Sequence, residues 1–176
     1  VLNDVGPAIN PAAIARIAAY VGQGASYPSI DAAADAMWAL SSTFGPHTRE
    51  EWLALSRHML ASAAQRTADG SAKTASTADG PPYVLHYDPA IGAPIRAITP
   101  EAITHGEAAM WALYDAITAP TLLLRGAVSD LLLEDTAHAM TRRGPRAALV
   151  QFDGVGHAPT LVAPAQSAAV ASFLLD

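Results

Sequence analysis

The chain has 176 residues, of which 51% are hydrophobic and 15% are charged. This composition suits one globular α/β domain with a sizeable core and argues against a disordered chain. The net charge of -6 and the scattered basic residues exclude an extended surface for a phosphate backbone, so we expect no nucleic-acid partner. The lack of cysteine excludes disulfides, thiolate zinc sites and a cysteine nucleophile within these residues.

Hydropathy argues against a membrane protein. No stretch approaches the roughly 20 consecutive apolar residues of a membrane span, and no charged and then apolar leader is recognised at the start of the sequence. A truncated start would hide such a leader. We therefore expect no membrane span and, by default, a cytoplasmic location.

The first half of the chain carries amphipathic helices. Asn10 predicts a helix start, because asparagine can cap free backbone amides. Thr48 and Glu51 form a capping box that predicts the start of another helix. The apolar stripe of that helix includes Trp52. Such a stripe can line a substrate cavity under a lid, but burial against neighbouring helices is its commoner role.

The patterns are weaker in the middle of the chain. Residues 61–82 are small and polar, which is typical of a surface loop. Residues 83–87 alternate aromatic and aliphatic side chains. Three prolines make residues 90–100 an irregular connection that cannot be an uninterrupted helix.

A further capping box predicts a helix after this connection. It consists of Thr104 and Glu107, and the helix would carry Trp111 and Tyr114 on one face. That face could roof an active site. Core packing alone would produce the same pattern.

Two apolar runs without polar alternation follow, at residues 121–125 and 147–152. Such runs are typical of strands buried on both faces of a parallel sheet. Residues 131–143 have the length of one crossover helix, which would make the strands neighbours. Asp130 and His157 follow the strand ends, where ligands of such sheets bind. The sequence therefore predicts an acid beside an imidazole, two members of a charge-relay triad.

The motifs at these positions resemble the C-terminal part of α/β-hydrolase fold proteins. The similar stretches are VLNDVGP at 1–7, LHYDPAI at 85–91, LLLRG at 122–126, SD at 129–130 and GVGHAP at 154–159. The resemblance implies an α/β fold class, with parallel strands, flanking helices and a mainly helical cap insertion. It divides the chain into the end of a core strand and a loop at 1–9, a helical cap at 10–117, and C-terminal core strands and helices at 118–176.

The same resemblance implies the roles of individual residues. His157 would be the general base and Asp130 the acid that orients it, while Trp111 and Trp52 are candidate substrate contacts. In this family the nucleophile precedes the acid and the histidine, on a G-x-S-x-G elbow. The chain contains no such motif. We therefore expect a fragment whose elbow belongs to a segment that precedes residue 1.

Asp4 is the alternative acid, because some α/β-hydrolases carry the acid after the earlier strand. Asp130 is better placed by its motif, and an aspartate at position 4 can instead hold the loop backbone before Gly6. We therefore predict Asp130.

The expected reaction is hydrolysis of an ester, lactone or similar small carbonyl substrate through a serine nucleophile, without a cofactor or metal. The six histidines show no close cluster with acidic residues at ligand spacing. One alternative is a dehalogenase or epoxide hydrolase with an aspartate nucleophile. The other is an inert truncated module that binds the missing segment or a complementary chain. For the chain alone we expect no turnover.

Overall fold

The structure is a computed structural model that describes residues 1–63 and 82–175. The described chain forms two compact units. Unit 1 contains Val1–Ala19, Thr43–Pro46 and the described residues from Pro94 onward. Unit 2 contains Tyr20–Ser42 and the described residues from His47 to Ala93. The division into three consecutive parts stays a prediction.

The described residues contain both strands and α-helices. The strands are β1 (Leu2–Asn3), β2 (Ser26–Tyr27), β3 (Leu60–Ser62), β4 (Tyr83–Leu85), β5 (Leu122–Gly126) and β6 (Ala148–Phe152). The α-helices are α1 (Pro11–Ala18), α2 (Ile30–Ser41), α3 (Arg49–His58), α4 (Gly92–Arg96), α5 (Pro100–Asp115), α6 (Glu134–Met140) and α7 (Pro164–Leu175). None of these helices combines the length and apolarity needed to cross a bilayer.

Unit 1 is built on a parallel sheet with the strand order β1-β5-β6. The central strand β5 is buried at all five of its positions, as its unbroken apolar run predicts. Leu123 lies opposite Leu2 on one side and Leu149 on the other. This register brings the carboxyl ends of all three strands to one edge of the sheet, so the predicted parallel sheet is confirmed.

The core of unit 1 packs around the sheet and α6. Leu123, Leu132 and Met140 are fully buried in it. Tyr114 from α5 joins this core, and its hydroxyl donates to the backbone oxygen of Met140 at 2.7 Å. Burial raises the pKa of Tyr114. The buried phenol therefore stays neutral, and its single proton is used in the hydrogen bond to Met140.

The helix in the crossover between β5 and β6 is shorter than predicted. Residues 131–143 were expected to form one helix, but α6 covers only Glu134–Met140. The amides of Leu131 and Leu132 donate to the side chain of Ser129. Because these two residues are fixed to the preceding loop, the helix begins after them.

Unit 2 combines α2 and α3 with a small antiparallel sheet of order β2-β4-β3. The sequence predicted its helices but not the sheet, because strands of two or three residues are too short to show a periodicity. The predicted capping box of α3 is confirmed. Hydrogen bonds from the backbone amide and the hydroxyl of Thr48 lower the pKa of Glu51.

The other predicted helix starts have mixed outcomes. Asn10 is the N-cap of α1, as predicted. The capping box at Thr104 is wrong, because α5 begins at Pro100 with Thr99 as its N-cap. The Thr104 hydroxyl donates instead to the oxygen of Pro100 within the helix. Of the predicted loop at 61–82, residues 64–81 lie outside the described part of the chain.

Candidate functional site

The loop after β6 carries His157. The amide of Gly156 donates to the backbone oxygen of Thr43 at 2.5 Å. A Cβ atom at Gly156 would lie 2.7 Å from that same oxygen. Only glycine allows this close approach, so the residue before the histidine is fixed to the segment Thr43–Pro46.

His157 contacts a carboxylate, as predicted, but the carboxylate is that of Asp4. Nδ1 of His157 lies 2.9 Å from Oδ2 of Asp4. The Asp4 side chain is fully buried and that of His157 is 22% exposed. Nε2 of the ring has no hydrogen-bond partner among residues 1–63 and 82–175. One nitrogen is therefore held by an acid while the other is unbonded, which is the arrangement of a general base.

Asp4 is positioned by the last residues of β1 and by two donors from the loop after β5. Its backbone amide donates to the oxygen of Leu124 at 2.8 Å, which extends the pairing of the two strands. Its Oδ1 accepts from the Gly126 amide at 3.1 Å, and its Oδ2 accepts from the Ser129 hydroxyl at 2.5 Å. A buried carboxylate has lost its water, and such donors replace its hydration. With His157, Asp4 therefore has three donors.

Gly126, the last residue of β5, is in close contact with the loop after β6. A Cβ atom there would lie 2.3 Å from the oxygen of Gly156 and 2.4 Å from that of Val155. The Val128 amide donates to the Val155 oxygen at 3.0 Å. These backbone contacts fix the loop that holds Asp4 against the loop that carries His157.

The predicted contact between Asp130 and His157 is wrong. Both carboxylate oxygens of Asp130 accept from Arg16 of α1, each at 2.8 Å. The Asp130 side chain is 46% exposed, and its backbone oxygen accepts from Asn10. The physical reason is the turn after β5, which directs Ser129 toward Asp4 and the next side chain toward α1. Asp4, weighed as the alternative, occupies the position expected for Asp130.

Trp111 lies beside the core of unit 1. Its ring packs edge-on against Tyr114, with centroids 5.8 Å apart, and its Nε1 donates to Glu107 at 3.2 Å. The Arg143 guanidinium lies 4.1 Å from the ring centroid. These contacts match the packing alternative, and a substrate contact stays a prediction.

Trp52 is 2% exposed within unit 2. Its Nε1 donates to the oxygen of Ala34 at 2.8 Å, and its ring packs against Trp38 and His47. A side chain this enclosed stabilises the unit by burial. Its substrate role also stays a prediction.

Sequence reasoning missed two residues near the site, Ser129 and Arg125. Arg125 is 4% exposed; its Nε donates to the Leu132 oxygen at 2.9 Å and its Nη1 to Gln151 at 2.7 Å. The guanidinium thus joins the end of the loop after β5 to β6. The polar residues in the LLLRG and SD motifs were the available signal, because a charged residue inside an apolar run needs a partner.

The described residues contain no cluster of three or more histidine and acidic side chains that could hold a metal ion. A cavity of about 340 Å³ lies in unit 1 and is lined by apolar residues that include Val5, Met110 and Leu113. Its lining contains neither Asp4 nor His157. The Asp4–His157 pair therefore lies outside this cavity.

Known proteins of related sequence and structure are hydrolases. No protein-family model matches the chain. A 3-hydroxybutyrate-oligomer hydrolase of Cupriavidus necator is 41% identical over 172 residues, which are 98% of this chain and 55% of that protein. The chain thus spans about half the length of this relative.

Solved structures also match the chain over about half of their own length. An α/β hydrolase of Novosphingobium aromaticivorans has 32% identity and a TM-score of 0.76, over 99% of this chain and 55% of that one. A hydrolase of Rickettsia typhi, at 21% identity, shares the fold with a TM-score of 0.73, over 99% of this chain and 52% of that one. The chain therefore has the fold of the α/β-hydrolase family, as its motifs predict, over a length that corresponds to about half of the hydrolases it matches.

Proposed function

We propose that the chain is part of an α/β-hydrolase that cleaves an ester bond by a Ser-His-Asp mechanism, with His157 as general base and Asp4 as acid. The observation that carries this proposal is the 2.9 Å contact between His157 Nδ1 and the buried Asp4 carboxylate. The unbonded Nε2 supports it. In the triad mechanism this nitrogen exchanges the proton with the nucleophile.

Each residue of the pair has a definite task in this mechanism. Nε2 of His157 takes the proton from the serine hydroxyl as the oxygen attacks the ester carbonyl, and later gives it to the leaving alcohol. Asp4 accepts a hydrogen bond from Nδ1–H, which keeps Nε2 unprotonated in the neutral ring. Its negative charge then stabilises the imidazolium that forms.

The serine nucleophile lies outside residues 1–176 in this proposal. The chain has no G-x-S-x-G motif. Ser129 contacts the pair, but it is 6% exposed and its hydroxyl donates to Asp4. A hydroxyl used in this way is not available to attack a substrate. The proposal therefore includes inactivity of the chain alone and a nucleophile-bearing segment that completes the site.

We propose oligomers of 3-hydroxybutyrate, or similar hydroxy-acid esters, as the substrate class. The support is the 3-hydroxybutyrate-oligomer hydrolase of Cupriavidus necator, which is 41% identical over 98% of this chain. The ester linkage in such an oligomer suits the proposed acyl transfer. An aspartate nucleophile would use the same acid and histidine, so the nucleophile decides between the ester hydrolase and a dehalogenase or epoxide hydrolase.

The test uses the chain alone and the chain joined to the segment that adjoins it in its gene. Both are assayed with 3-hydroxybutyrate oligomers, a chromogenic ester, a haloalkane and an epoxide. We expect ester turnover only with the added segment, and His157→Ala lowers kcat by about 10³-fold or more. The matched control is His138→Ala, which removes an exposed histidine of α6 and leaves kcat unchanged.

Three outcomes would contradict the proposal. Ester turnover by the chain alone, lost in His157→Ala, would place the nucleophile within residues 1–176. Full activity of His157→Ala in the longer protein would remove the general base. Turnover of the haloalkane or epoxide instead of the esters would establish the aspartate-nucleophile alternative.

A further inference from the structure

We propose that Ser129 is a positioning residue that holds the Asp4 carboxylate in the orientation His157 needs. This inference rests on the proposed role of the Asp4–His157 pair. The Ser129 hydroxyl donates at 2.5 Å to Oδ2 of Asp4, the same oxygen that contacts His157 Nδ1. It thus acts through the acid and has no contact with the reacting atoms.

The direction of the Ser129 proton is set by its other bonds. The hydroxyl oxygen accepts from the amides of Leu131 at 3.2 Å and Leu132 at 3.3 Å. A hydroxyl has one proton and two acceptor positions. Because two amides occupy the acceptor side, the proton is left to point at Asp4. At 6% exposure, Ser129 also has little competition from water.

The Ser129 hydroxyl and the Gly126 amide together fix the plane of the carboxylate. The amide bonds Oδ1 at 3.1 Å and the hydroxyl bonds Oδ2. Rotation about the terminal side-chain torsion of aspartate is otherwise soft. With a donor on each oxygen, Asp4 can turn away from His157 only by breaking a charge-assisted hydrogen bond.

Ser129 is itself held in place independently of Asp4 and His157. Its backbone amide donates to the Gly126 oxygen at 2.9 Å. Arg125 holds the other end of the loop by donating to the Leu132 oxygen. The loop therefore presents a preformed donor to Asp4, which keeps the pair aligned without rearrangement during the reaction.

The test follows the ring nitrogens of His157 by NMR in the 176-residue chain with labelled histidine. The protein is expected to show the Nδ1–H tautomer and a Nδ1 proton that exchanges slowly with water. In Ser129→Ala we expect that exchange to be about tenfold faster, the scale of losing one charge-assisted hydrogen bond. Ser129→Thr keeps a hydroxyl and restores slow exchange.

Two further variants separate failure of this inference from failure of the proposed function. Asp4→Asn is expected to move the ring to the Nε2–H tautomer, and Asp130→Asn to leave it unchanged. If Asp4→Asn changes the ring and Ser129→Ala does not, Ser129 has no positioning role while the pair stands. If Asp4→Asn leaves the ring unchanged, the proposed pair itself is wrong.

A loss of folding in Ser129→Ala would not remove the test. Ser129→Cys keeps the size of the side chain but is a weaker donor, so it should give an exchange rate between those of the original protein and of the alanine variant. Exchange as slow in Ser129→Cys as in the original protein, or as fast in Ser129→Thr as in Ser129→Ala, would show that the hydroxyl donor does not hold the carboxylate.

Discussion

Two aspartates follow neighbouring strands of the same sheet, and their surroundings differ in every respect that matters for chemistry. Asp4, after β1, is fully buried and accepts from Gly126, Ser129 and His157. Asp130, after β5, is 46% exposed and pairs with a single arginine. In the proposed site, position at the end of a strand therefore does not distinguish the acid from the other aspartate. Burial together with a set of preformed donors does.

The energetics of the two carboxylates follow from this difference. An exposed ion pair contributes only about 0–1 kcal/mol, because water and salt screen it. A buried carboxylate has lost its water, so its protein donors must replace the hydration. Removing it leaves those donors unpaired as well. We therefore expect substitutions of Asp4 to lower both activity and stability more than substitutions of Asp130.

The largest difference is expected in catalysis. In the longer protein that contains the nucleophile, Asp4→Asn should lower kcat by about 10³- to 10⁴-fold, because an amide supports the wrong ring tautomer. Asp130→Asn should stay within about twofold, since only an exposed ion pair is lost. Steady-state kinetics with a chromogenic ester measure both. A large loss in Asp130→Asn with little loss in Asp4→Asn would reverse the comparison.

The next difference is in the free energy of unfolding. Asp4→Ala should cost about 3 kcal/mol, because the buried donors of Gly126 and Ser129 lose their acceptor. Asp130→Ala should cost about 1 kcal/mol or less. Urea denaturation of the chain measures both values. Equal costs for the two variants would show that the donors around Asp4 contribute little to stability.

A smaller contrast concerns two glycines near the pair. Gly126→Ala should cost about 2–3 kcal/mol, because its Cβ would overlap backbone oxygens of the His157 loop. Gly154→Ala should cost about 1 kcal/mol, because no atom lies within 4 Å of its Cβ and only its φ of +68° is unfavourable. The urea midpoints of the two variants show which substitution costs more stability. Equal midpoints would show that the chain at Gly126 and the loop after β6 separate at little cost.

The smallest effect is expected at Glu51, an exposed carboxylate that accepts hydrogen bonds from Thr48. Hydrogen bonds from Thr48 lower the pKa of Glu51 below its ordinary value of 4.5. A lowered pKa in the folded state gives stability that is present above the unfolded value and is lost as pH falls through the folded one. The protection of α3 amides, measured as their exchange rate relative to the unstructured rate at the same pH, should therefore fall at acidic pH. Thr48→Ala should flatten this dependence, and an unchanged profile would contradict the capping role.

The sequence predicted those features that depend on local patterns. The unbroken run of β5 predicted a buried parallel strand, and the GVGHAP motif predicted the position of His157. The motif of Asp130 follows β5 directly and therefore predicts this residue as the acid. A local pattern, however, does not show which of two adjacent side chains points toward His157. Ser129 turns inward because its oxygen accepts two later amides. That choice depends on contacts made only when the loop has folded.

The pairing of Asp4 with His157 joins residues that are 153 positions apart in the chain. Closing so long a loop is entropically costly, so the contact has to be made together with the pairing of β1 and β5 rather than before it. During synthesis on the ribosome, β1 cannot pair with β5 until Leu123 has emerged. A ribosome that stalls before that point would hold a nascent chain in which this pairing and the contact of Asp4 with His157 are both absent.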